Sequence, residues 1–412
     1  MRIGIDMLAD QSAGRLRGTG RYTRGLVSQL LSAARHEVVL YYYEGLPRGD
    51  LQAGAPNTRL LSRGNSLPAV VHRLADDNPD GLDLLLLTCP LENFAGYLPP
   101  FPTRRGARLA AIVYDLIPLR FPAAYLAHPG IAASYRRAWA ALRHYDLLLT
   151  ISASARQDIA ELSPAGTAPV VNIGAASDVD FFRPPAARPD GAAARWLDAQ
   201  GIHKPFVYAS AAPDFRKNLA GLLAAWQCLP DRLRQRFQCV ITCRGEAGEW
   251  RRQAAEVVAA GGVVFTAGLD DDQLRFLYQQ AAAFVFPSRY EGFGLPLLEA
   301  MQCGAAVVAG RNSSQIEVVG DAGLLADVDD PADLAANITR LLEEPTLAEE
   351  LRRRALRQSQ RFRWPEVGRR CLAAIEEIRT APRRSSWLGV WAERGRLAMD
   401  ERRRVMVSRR AG

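Results

Sequence analysis

Short apolar stretches alternate along the first half of the chain with longer stretches in which apolar residues recur at helical spacing. The short stretches predict strands, because they are bounded by Gly, Pro or polar residues, and the longer ones predict amphipathic helices. Strands alternating with helices are typical of a parallel sheet covered by helices. The predicted strands are 2–8, 38–43, 82–88, 109–114 and 147–152, and the predicted helices are 21–34 and 132–143.

The second half repeats this alternation after a Pro- and Ala-rich connection at 183–205. Its predicted strands are 206–210, 237–243, 262–266, 283–287, 305–309 and 323–325. Its predicted helices are 219–227, 271–281, 296–303 and 333–343. We therefore predict α/β domains at 1–182 and 206–364, joined by that linker and followed by a helix at 365–382 and a tail at 383–412.

Chain length agrees with two domains, since 412 residues exceed the size at which a single hydrophobic core stops growing. No apolar run reaches about 18 residues, the length that a membrane-spanning helix needs. The chain enters its first strand without the charged, apolar and small-residue segments of a secretory leader. These features predict a cytoplasmic protein.

The six cysteines form no C-x-x-C pair and have no histidine cluster beside them, so they are predicted to be buried free thiols. The net charge of +8 is concentrated in the tail, where nine arginines stand against three acidic residues between 383 and 412. The remaining body is nearly neutral. The charge therefore predicts no nucleic-acid-binding face on the globular part.

A glycine-containing loop follows the predicted strand at 283–287 and precedes a predicted helix. Gly292 and Gly294 allow the backbone to approach a ligand closely, and Pro296 suits the first turn of a helix. A strand, a glycine loop and a helix N-terminus together offer free N–H groups and a positive dipole end to a phosphate.

Two acidic residues flank this loop. Glu291 at the loop is able to accept hydrogen bonds from sugar hydroxyls, and Glu299, one turn into the helix, from paired ribose hydroxyls. The alternative is a tight turn with a capping carboxylate, which leaves the second acid and the glycines without a common explanation.

A pair of cations, Arg216 and Lys217, lies between another predicted strand and its helix. Cations are unfavourable at a helix start, because the helix dipole there favours anions. The pair is explained if a diphosphate binds to it, and such a contact would stabilise the charge that develops on a departing nucleotide. A solvated helix start is the alternative interpretation.

Two weaker candidates lie in the first half. Gly18 and Gly20 occupy a loop after the first strand, where a plain loop is as good an interpretation as a site, since the third glycine of a dinucleotide fingerprint is replaced by Thr23. Tyr114 and Asp115 end the strand at 109–114. A tyrosine is a poor base at neutral pH, Asp115 is able to orient a substrate, and a structural role remains open for both.

These motifs resemble the retaining glycosyltransferases of family GT4, which have the GT-B fold of two Rossmann-like domains facing each other across a cleft. The segment from Glu291 to Glu299 matches the E-x7-E motif of that family, and the segment 313–323 continues the match. The similarity extends over about 1–380 and is strongest over 206–345. It implies a nucleotide-sugar donor and no cofactor, and Tyr114 departs from the His that related enzymes often have.

The resemblance assigns roles to individual residues. It implies that Arg216 and Lys217 neutralise the donor diphosphate, that the first domain is the acceptor side, and that the helix after 364 crosses back onto it. The predicted donor-binding residues are Gly18, Gly20, Arg216, Lys217, Glu291, Gly292, Phe293, Gly294, Leu295 and Glu299. The predicted catalytic residues are Arg216, Lys217, Glu291 and Asp115.

No essential metal is predicted. The D-x-D sequences at 178–180, 270–272 and 327–329 match a metal-binding motif of a different glycosyltransferase fold, but they lie in loops or at helix starts, where Asp is a common cap. The cation pair would supply the positive charge that a metal supplies in that other fold. The five histidines are scattered, and none has a partner at ligand spacing.

The predicted function is retaining transfer of a sugar, with GDP-mannose as the favoured donor, to a glycan or lipid-linked acceptor in surface polysaccharide synthesis. The basic, Trp-containing tail at 383–412 fits an anionic membrane surface and equally a flexible or partner-bound helix. The alternatives are a catalytically idle sugar-nucleotide-binding scaffold, a phosphorylase or epimerase that shares the double fold, and a nucleic-acid binder acting through the tail.

Overall fold

The structure is a computed structural model, in which the strands and helices follow the predicted alternation. It describes residues 1–12, 14–15, 18–47, 51, 57–61, 74–75, 77–91, 106–163, 168–185, 191–211, 214–243 and 262–382. The basic tail predicted at 383–412 lies outside the described residues, so the membrane-surface and partner-helix interpretations remain predictions.

The strands within the described ranges are short and mostly buried. In chain order they are β1 (Arg2–Asp6), β2 (Glu37–Tyr43), β3 (Thr58–Leu61), β4 (Leu84–Leu87), β5 (Arg108–Val113), β6 (Leu147–Thr150), β7 (Val170–Asn172), β8 (Phe206–Ala211), β9 (Gln238–Cys243), β10 (Val263–Thr266), β11 (Ala283–Phe286), β12 (Val307–Gly310) and β13 (Leu324–Ala326). The strands β3 and β7 were not predicted from the sequence, because both lie at a sheet edge and are only partly buried, so neither forms an apolar run.

The helices lie between the strands. In chain order they are α1 (Leu8–Gln11), α2 (Gly18–Ser32), α3 (Ile117–Arg120), α4 (Pro122–Tyr125), α5 (Pro129–Leu142), α6 (Ala153–Leu162), α7 (Gly191–Ala199), α8 (Leu219–Cys228), α9 (Asp231–Arg236), α10 (Asp271–Gln280), α11 (Leu295–Gln302), α12 (Ser313–Val319), α13 (Pro331–Glu343), α14 (Pro345–Ser359) and α15 (Trp364–Thr380). No helix among the described residues combines the length and the apolar character needed to cross a membrane.

Both sheets are parallel throughout and have the same inner order. The first sheet has the order β3-β2-β1-β4-β5-β6-β7, and the second has the order β10-β9-β8-β11-β12-β13. In each sheet the chain winds outward from a first strand and then returns to add strands on that strand's other side, which is the doubly wound arrangement. Two Rossmann-like α/β units, as the GT-B class requires, are therefore confirmed.

The chain divides into two compact units. The first contains residues 1–175 and the segment that begins at Trp364, and the second contains residues 176–363. The second unit begins at Ala176, before the linker predicted at 183–205. That predicted linker lies within the second unit and contains α7.

Side-chain contacts explain why residues just after Ala176 belong to the second unit. Ser177 donates a hydrogen bond to the side chain of Gln302. The Phe182 ring meets the Tyr278 ring edge-on with centroids 6.2 Å apart. Both contacts join residues that are far apart in the sequence. The composition of the linker therefore could not predict that the second unit begins at Ala176.

Each sheet is covered on its faces by apolar helix side chains. In the second unit, residues such as Val207, Ile241 and Val285 pack with Trp226 and Leu334 from α8 and α13. Cys89, Cys239, Cys303 and Cys371 are buried free thiols as expected, and burial raises the pKa of Cys239 and of Cys371 to about 12. Cys228 differs from that expectation, because it is exposed at the end of α8.

The last helix packs within the first unit against α2. The Trp364 ring meets the Tyr22 ring edge-on at 5.4 Å, and the Tyr22 hydroxyl donates to the carbonyl of Gly174 at 2.8 Å. A Cβ added at Gly25 would lie 2.2 Å from the Trp364 indole. The glycine is therefore the residue that allows the indole to lie against the α2 backbone.

We predict that Gly25→Ala destabilises the protein. Alanine in a helix is normally favoured over glycine by about 1 kcal/mol, but here the clash with Trp364 reverses the sign to a loss of about 1–3 kcal/mol. Urea unfolding measures the change. The same substitution in a Trp364→Ala background lacks the clash and should stabilise; a loss of equal size in both backgrounds would contradict the packing argument.

A second prediction concerns Asp6 at the end of β1, whose side chain is buried. Burial raises the pKa of Asp6 from 3.8 to about 7, although hydrogen bonds from the Tyr43 side chain and the Leu8 amide oppose the rise. The folded state therefore binds a proton that the unfolded state has already released between these two pH values. The stabilisation is complete below pH 3.8 and is lost as the pH rises to about 7.

The variant Asp6→Asn cannot titrate at this position, so it should lack this part of the pH dependence. The free energy of unfolding of the variant relative to the wild type should increase between pH 4.5 and 7.5, at up to about 1.4 kcal/mol per pH unit. Urea titrations at the two pH values measure the difference. A difference that is the same at both would show that Asp6 is not neutral in the folded protein.

Candidate functional site

Two loops leave the second sheet at the point where its strand order reverses. The strands β8 and β11 are hydrogen-bonded neighbours in this sheet, although 71 residues separate the end of β8 from the start of β11. In their register Val207 pairs with Ala283, and Ala209 pairs with Val285. The 3₁₀ turn Phe215–Lys217 follows β8, and a loop from Ser288 to Gly294 follows β11. In doubly wound sheets, ligands bind outside the carboxyl ends of the strands at this switch point.

Asp214 and Asn218 fix the first loop from both sides. The Asp214 carboxylate accepts a hydrogen bond from the Arg216 amide at 3.0 Å. Asn218 has a left-handed backbone with φ of 51°, and its side chain caps α8 at the Gly221 amide and donates to the carbonyl of Val328 at 2.6 Å. Such a turn has little freedom, so Arg216 and the residue after it begin from a fixed backbone.

The second loop is held by α12 and by a glycine. The Glu291 amide donates to the Ser313 hydroxyl at 3.0 Å, and the Ser314 hydroxyl donates to the Glu291 carbonyl at 2.8 Å. Gly294 has φ of 96°, a conformation that favours glycine, and α11 begins at the next residue, Leu295. The loop thus brings main-chain N–H groups to the start of a helix, as the sequence predicted.

Ion pairs join the two loops. The Arg216 Nη1 lies 2.5 Å from Glu291 Oε2, and the Lys217 Nζ lies 2.6 Å from Glu291 Oε1. A second carboxylate, that of Asp214, lies 3.3 Å from the Arg216 Nε. The side chains of Arg216, Lys217 and Glu291 are 20%, 14% and 8% exposed, so solvent screens their charges only in part.

Burial and charge act in opposite directions on this cluster. Burial alone would raise the pKa of Glu291, but Arg216 and Lys217 outweigh it and hold that pKa below its usual value. Burial lowers the pKa of Lys217, as does the Arg216 charge, while Glu291 opposes both. The carboxylate is therefore ionised at neutral pH and is bound to both cations.

The other predicted residues around the second loop have different surroundings. Glu299 on α11 is 3% exposed and accepts a hydrogen bond from the Tyr278 hydroxyl at 3.3 Å. Phe293 is buried, and its ring meets the Phe362 ring edge-on, which leaves its backbone for any ligand contact. Gly292 is buried in the same loop.

The remaining predicted residues belong to the first unit. Gly18 and Gly20 form the start of α2, and a Cβ added at Gly20 would lie 2.4 Å from the Arg15 carbonyl oxygen. The Arg24 guanidinium closes this turn, because it donates to the buried Asp10 carboxylate at 2.7 Å and to the Arg15 carbonyl. The packing of this turn accounts for the small residue at Gly20.

Tyr114 and Asp115 both make local contacts. The Tyr114 hydroxyl lies 2.9 Å from the Thr23 hydroxyl and 3.5 Å from the Thr19 carbonyl oxygen, on α2. The Asp115 carboxylate accepts a hydrogen bond from the Ile117 amide at 3.0 Å, at the start of α3. Both residues therefore have a structural role: Tyr114 connects its loop to α2, and Asp115 binds the first amide of α3.

A protein-family comparison matches residues 198–358 to the model for glycosyl transferases group 1. The matched segment contains both loops of the ion-pair cluster, and relatives described below extend the similarity over most of the chain. The second unit is thus similar to the group 1 glycosyl transferases over the segment that carries the ion-pair cluster.

Two curated relatives of this chain are named as mannosyltransferases. The serotype-specific mannosyltransferase WbdA of Escherichia coli is 29% identical over 401 residues, which are 88% of this chain and 46% of that protein. The O-antigen chain mannosyltransferase B of Escherichia coli is 41% identical over 151 residues, which are 36% of this chain and 40% of that protein. The chain thus spans less than half of the length of each.

Solved structures share the fold over nearly the whole chain. Sucrose-phosphate synthase from Thermosynechococcus elongatus has a TM-score of 0.70 at 20% identity, with 93% of this chain and 100% of that chain covered. Alr3699/HepE of Anabaena, in complex with UDP-glucose, has a TM-score of 0.68 at 16% identity, with 92% and 100% covered. At such identities the likeness shows the fold.

The three D-x-D sequences form turns and helix caps. Asp178 accepts from the amides of Asp180 and Phe181, and Asp270 forms a capping box with Gln273 on α10. Asp327 accepts from the Asp329 amide. These geometries explain the aspartates without a metal, and the metal independence of the reaction remains a prediction.

Sequence reasoning did not find the residues that support the cluster. The sequence analysis did not identify Asp214, whose carboxylate forms an ion pair with Arg216. Ser313 and Ser314 lie in the segment 313–323 that matches the family, but their hydrogen bonds to the Glu291 main chain were not predicted. Small hydroxyl residues at a helix start are the signal that would have indicated such a role.

We predict that Tyr114 and Thr23 are energetically coupled through their hydroxyl groups. Tyr114→Phe and Thr23→Val each remove one partner of a partly buried hydrogen bond, so each should destabilise by about 1 kcal/mol. The double variant leaves neither partner unpaired and should cost less than the sum. Urea unfolding of the four proteins gives the coupling energy, and strict additivity would exclude the hydroxyl contact as its cause.

Proposed function

We propose that this protein transfers a sugar from a nucleotide-diphosphate sugar to a glycan or lipid-linked acceptor in surface polysaccharide synthesis, with retention of the anomeric configuration. The observation that carries the proposal is the pair of cations, Arg216 and Lys217, fixed at the carboxyl ends of β8 and β11 beside a glycine loop and a helix start. Such a place is suited to a diphosphate, because fixed cations and main-chain N–H groups converge on it.

In this proposal each loop has a defined role. Arg216, Lys217 and the main-chain N–H groups of Gly292, Phe293, Gly294 and Leu295 bind the diphosphate. Glu299 accepts hydrogen bonds from the ribose hydroxyls, and Glu291 accepts them from hydroxyls of the donor sugar. In the first unit, Gly18, Gly20 and Asp115 are the proposed contacts with the phosphates and the acceptor. No metal is required, because the two cations neutralise the leaving group.

The reaction forms the glycosidic bond to the acceptor and breaks the bond between the anomeric carbon and the diphosphate oxygen of the donor. The acceptor hydroxyl oxygen bonds to the anomeric carbon on the face from which the diphosphate departs, and the proton of that hydroxyl passes to a diphosphate oxygen. Positive charge on Arg216 and Lys217 favours this step, because negative charge accumulates on the leaving diphosphate. Glu291 is not the nucleophile in this scheme, because the acceptor hydroxyl attacks the anomeric carbon directly and Glu291 binds hydroxyls of the donor sugar.

The names of the relatives support the choice of donor. WbdA and the O-antigen chain mannosyltransferase B are named as mannosyltransferases, which favours mannose as the transferred sugar and GDP-mannose as its donor. The complex of Alr3699/HepE with UDP-glucose supports a nucleotide sugar as the ligand class of the fold. Cytoplasmic reaction, with the tail at 383–412 at an anionic inner membrane face, belongs to the same proposal, and nucleic acid is not an expected partner.

The proposal predicts that one donor stabilises the wild-type protein and that Lys217→Gln abolishes the effect. A thermal-shift series with GDP-mannose, UDP-glucose, ADP-glucose and dTDP-glucose measures this, because a ligand at 100 times its Kd adds about 2.7 kcal/mol to stability. We expect GDP-mannose to give the largest shift. The matched control is Arg232→Gln, which removes one positive charge from an exposed ion pair with Glu343 and should leave the shift intact.

Transfer is then measured with the donor that binds. We expect Lys217→Gln to lower kcat/KM by about 100-fold, the usual cost of removing one donor that stabilises a developing anion. Equal shifts in Lys217→Gln and the wild type would contradict the proposed diphosphate site. Tight donor binding with neither transfer nor hydrolysis would instead favour the idle-scaffold alternative.

A further inference from the structure

The Glu291 carboxylate occupies the position at which the two cations converge. Each of its oxygens contacts a different cation, at 2.5 Å for Arg216 and at 2.6 Å for Lys217. Its main chain is held at both polar atoms by Ser313 and Ser314. A carboxylate that bridges two cations in this way offers them the same chemistry as two oxygens of a phosphate.

We propose that Glu291 is the internal counterion of Arg216 and Lys217, and that the diphosphate of the donor displaces it from them. This inference rests on the proposed function, since it assumes that a diphosphate binds to this pair. Once displaced, the carboxylate is available to the hydroxyls of the donor sugar. Glu291 is thus a regulator of anion affinity in addition to a contact with the sugar.

The charge balance of the cluster supports displacement. Arg216 and Lys217 carry two positive charges, which are balanced by two negative ones: Glu291 pairs with both cations, and Asp214 pairs with Arg216. A diphosphate added beside an ionised Glu291 would be repelled by it at short range, in a place where solvent screens the charges only in part. Displacement of Glu291 removes that repulsion and allows both cations to form ion pairs with the diphosphate.

In the opposite role, Glu291 would hold the two cations in place and so strengthen ligand binding. The contacts of the first loop argue against this role, because they fix the turn that carries the cations without using Glu291. Asp214 caps the turn and pairs with Arg216, and the Arg289 amide donates to the Arg216 carbonyl at 2.7 Å. Asn218 fixes the end of the turn through α8 and the Val328 carbonyl. None of these contacts involves the Glu291 side chain, so we expect the turn to keep its shape when the charge of Glu291 is removed.

The two roles predict opposite signs for Glu291→Gln, which keeps the size and one acceptor oxygen but removes the charge. Inorganic pyrophosphate is the probe, because it has no sugar and no nucleoside and so reports only on the anion site. We expect isothermal titration to show binding of pyrophosphate about tenfold tighter for Glu291→Gln than for the wild type. Asp329→Asn is the matched control, since it removes one negative charge that pairs with the neighbouring Arg289 and should change the affinity less than about twofold.

A second signature separates charge from general damage to the fold. Without pyrophosphate, Glu291→Gln should melt at a lower temperature than the wild type, because partly buried cations lose their partner. With saturating pyrophosphate it should gain more than the wild type does. Glu291→Asp keeps the charge but shortens the side chain, so it replaces Glu291→Gln in the pyrophosphate titration if Glu291→Gln does not fold. Its pyrophosphate affinity should lie between the wild type and the tighter-binding value expected for Glu291→Gln.

The outcomes distinguish this inference from the proposed function. If the wild type binds pyrophosphate, Lys217→Gln loses it, and Glu291→Gln or Glu291→Asp binds it more weakly than or equally to the wild type, the counterion role is wrong while the diphosphate site stands. If the wild type does not bind pyrophosphate, or Lys217→Gln binds it equally well, the anion site itself is wrong and the inference falls with it.

Discussion

The ion pairs of Glu291 with Arg216 and Lys217 connect two loops that only the strand order brings together. Because β8 and β11 are neighbours in the second sheet while the chain turns outward from β8 to β9, the loops that follow these two strands open toward each other. A carboxylate from one loop then meets two cations from the other at 2.5 and 2.6 Å. The fold supplies the proximity, and mutual neutralisation makes the partial burial of three charges tolerable.

Local devices keep this arrangement in place. Asn218 takes a left-handed conformation and caps α8, so the cation turn stops where it does. Gly294 takes positive φ and starts α11 immediately after the loop, while Ser313 and Ser314 bind the main chain of Glu291. Each device uses backbone geometry or a short side chain. The charged groups therefore start from defined positions, which reduces the reorganisation that an anionic ligand would otherwise require.

The sequence predicted the inner strands, the residue types at both loops, and the helices α2, α5, α8, α10, α11, α13 and α15, because each depends on local pattern. It did not predict the helices α6, α7, α12 and α14. It did not predict β3 and β7, whose partial burial leaves no apolar run, or the unit boundary at Ala176, which depends on contacts with α10 and α11. It placed Glu291 near a sugar but not on the cations. Such a pairing spans more than 70 positions, and no spacing rule within one motif contains it.

The balanced charge of the cluster has a consequence for turnover on the proposed mechanism. A site with two uncompensated cations would bind the product diphosphate as strongly as the donor diphosphate, and release of the nucleotide would then limit the rate. With Glu291 beside Arg216 and Lys217, the departing diphosphate is replaced by a carboxylate that is already tethered to the site. Its return restores the ion pairs and offsets the cost of separating the product from the cations. The competition between Glu291 and the diphosphate for the two cations weakens donor binding and, for the same reason, speeds product release. On this mechanism a lower affinity for the donor accompanies faster turnover.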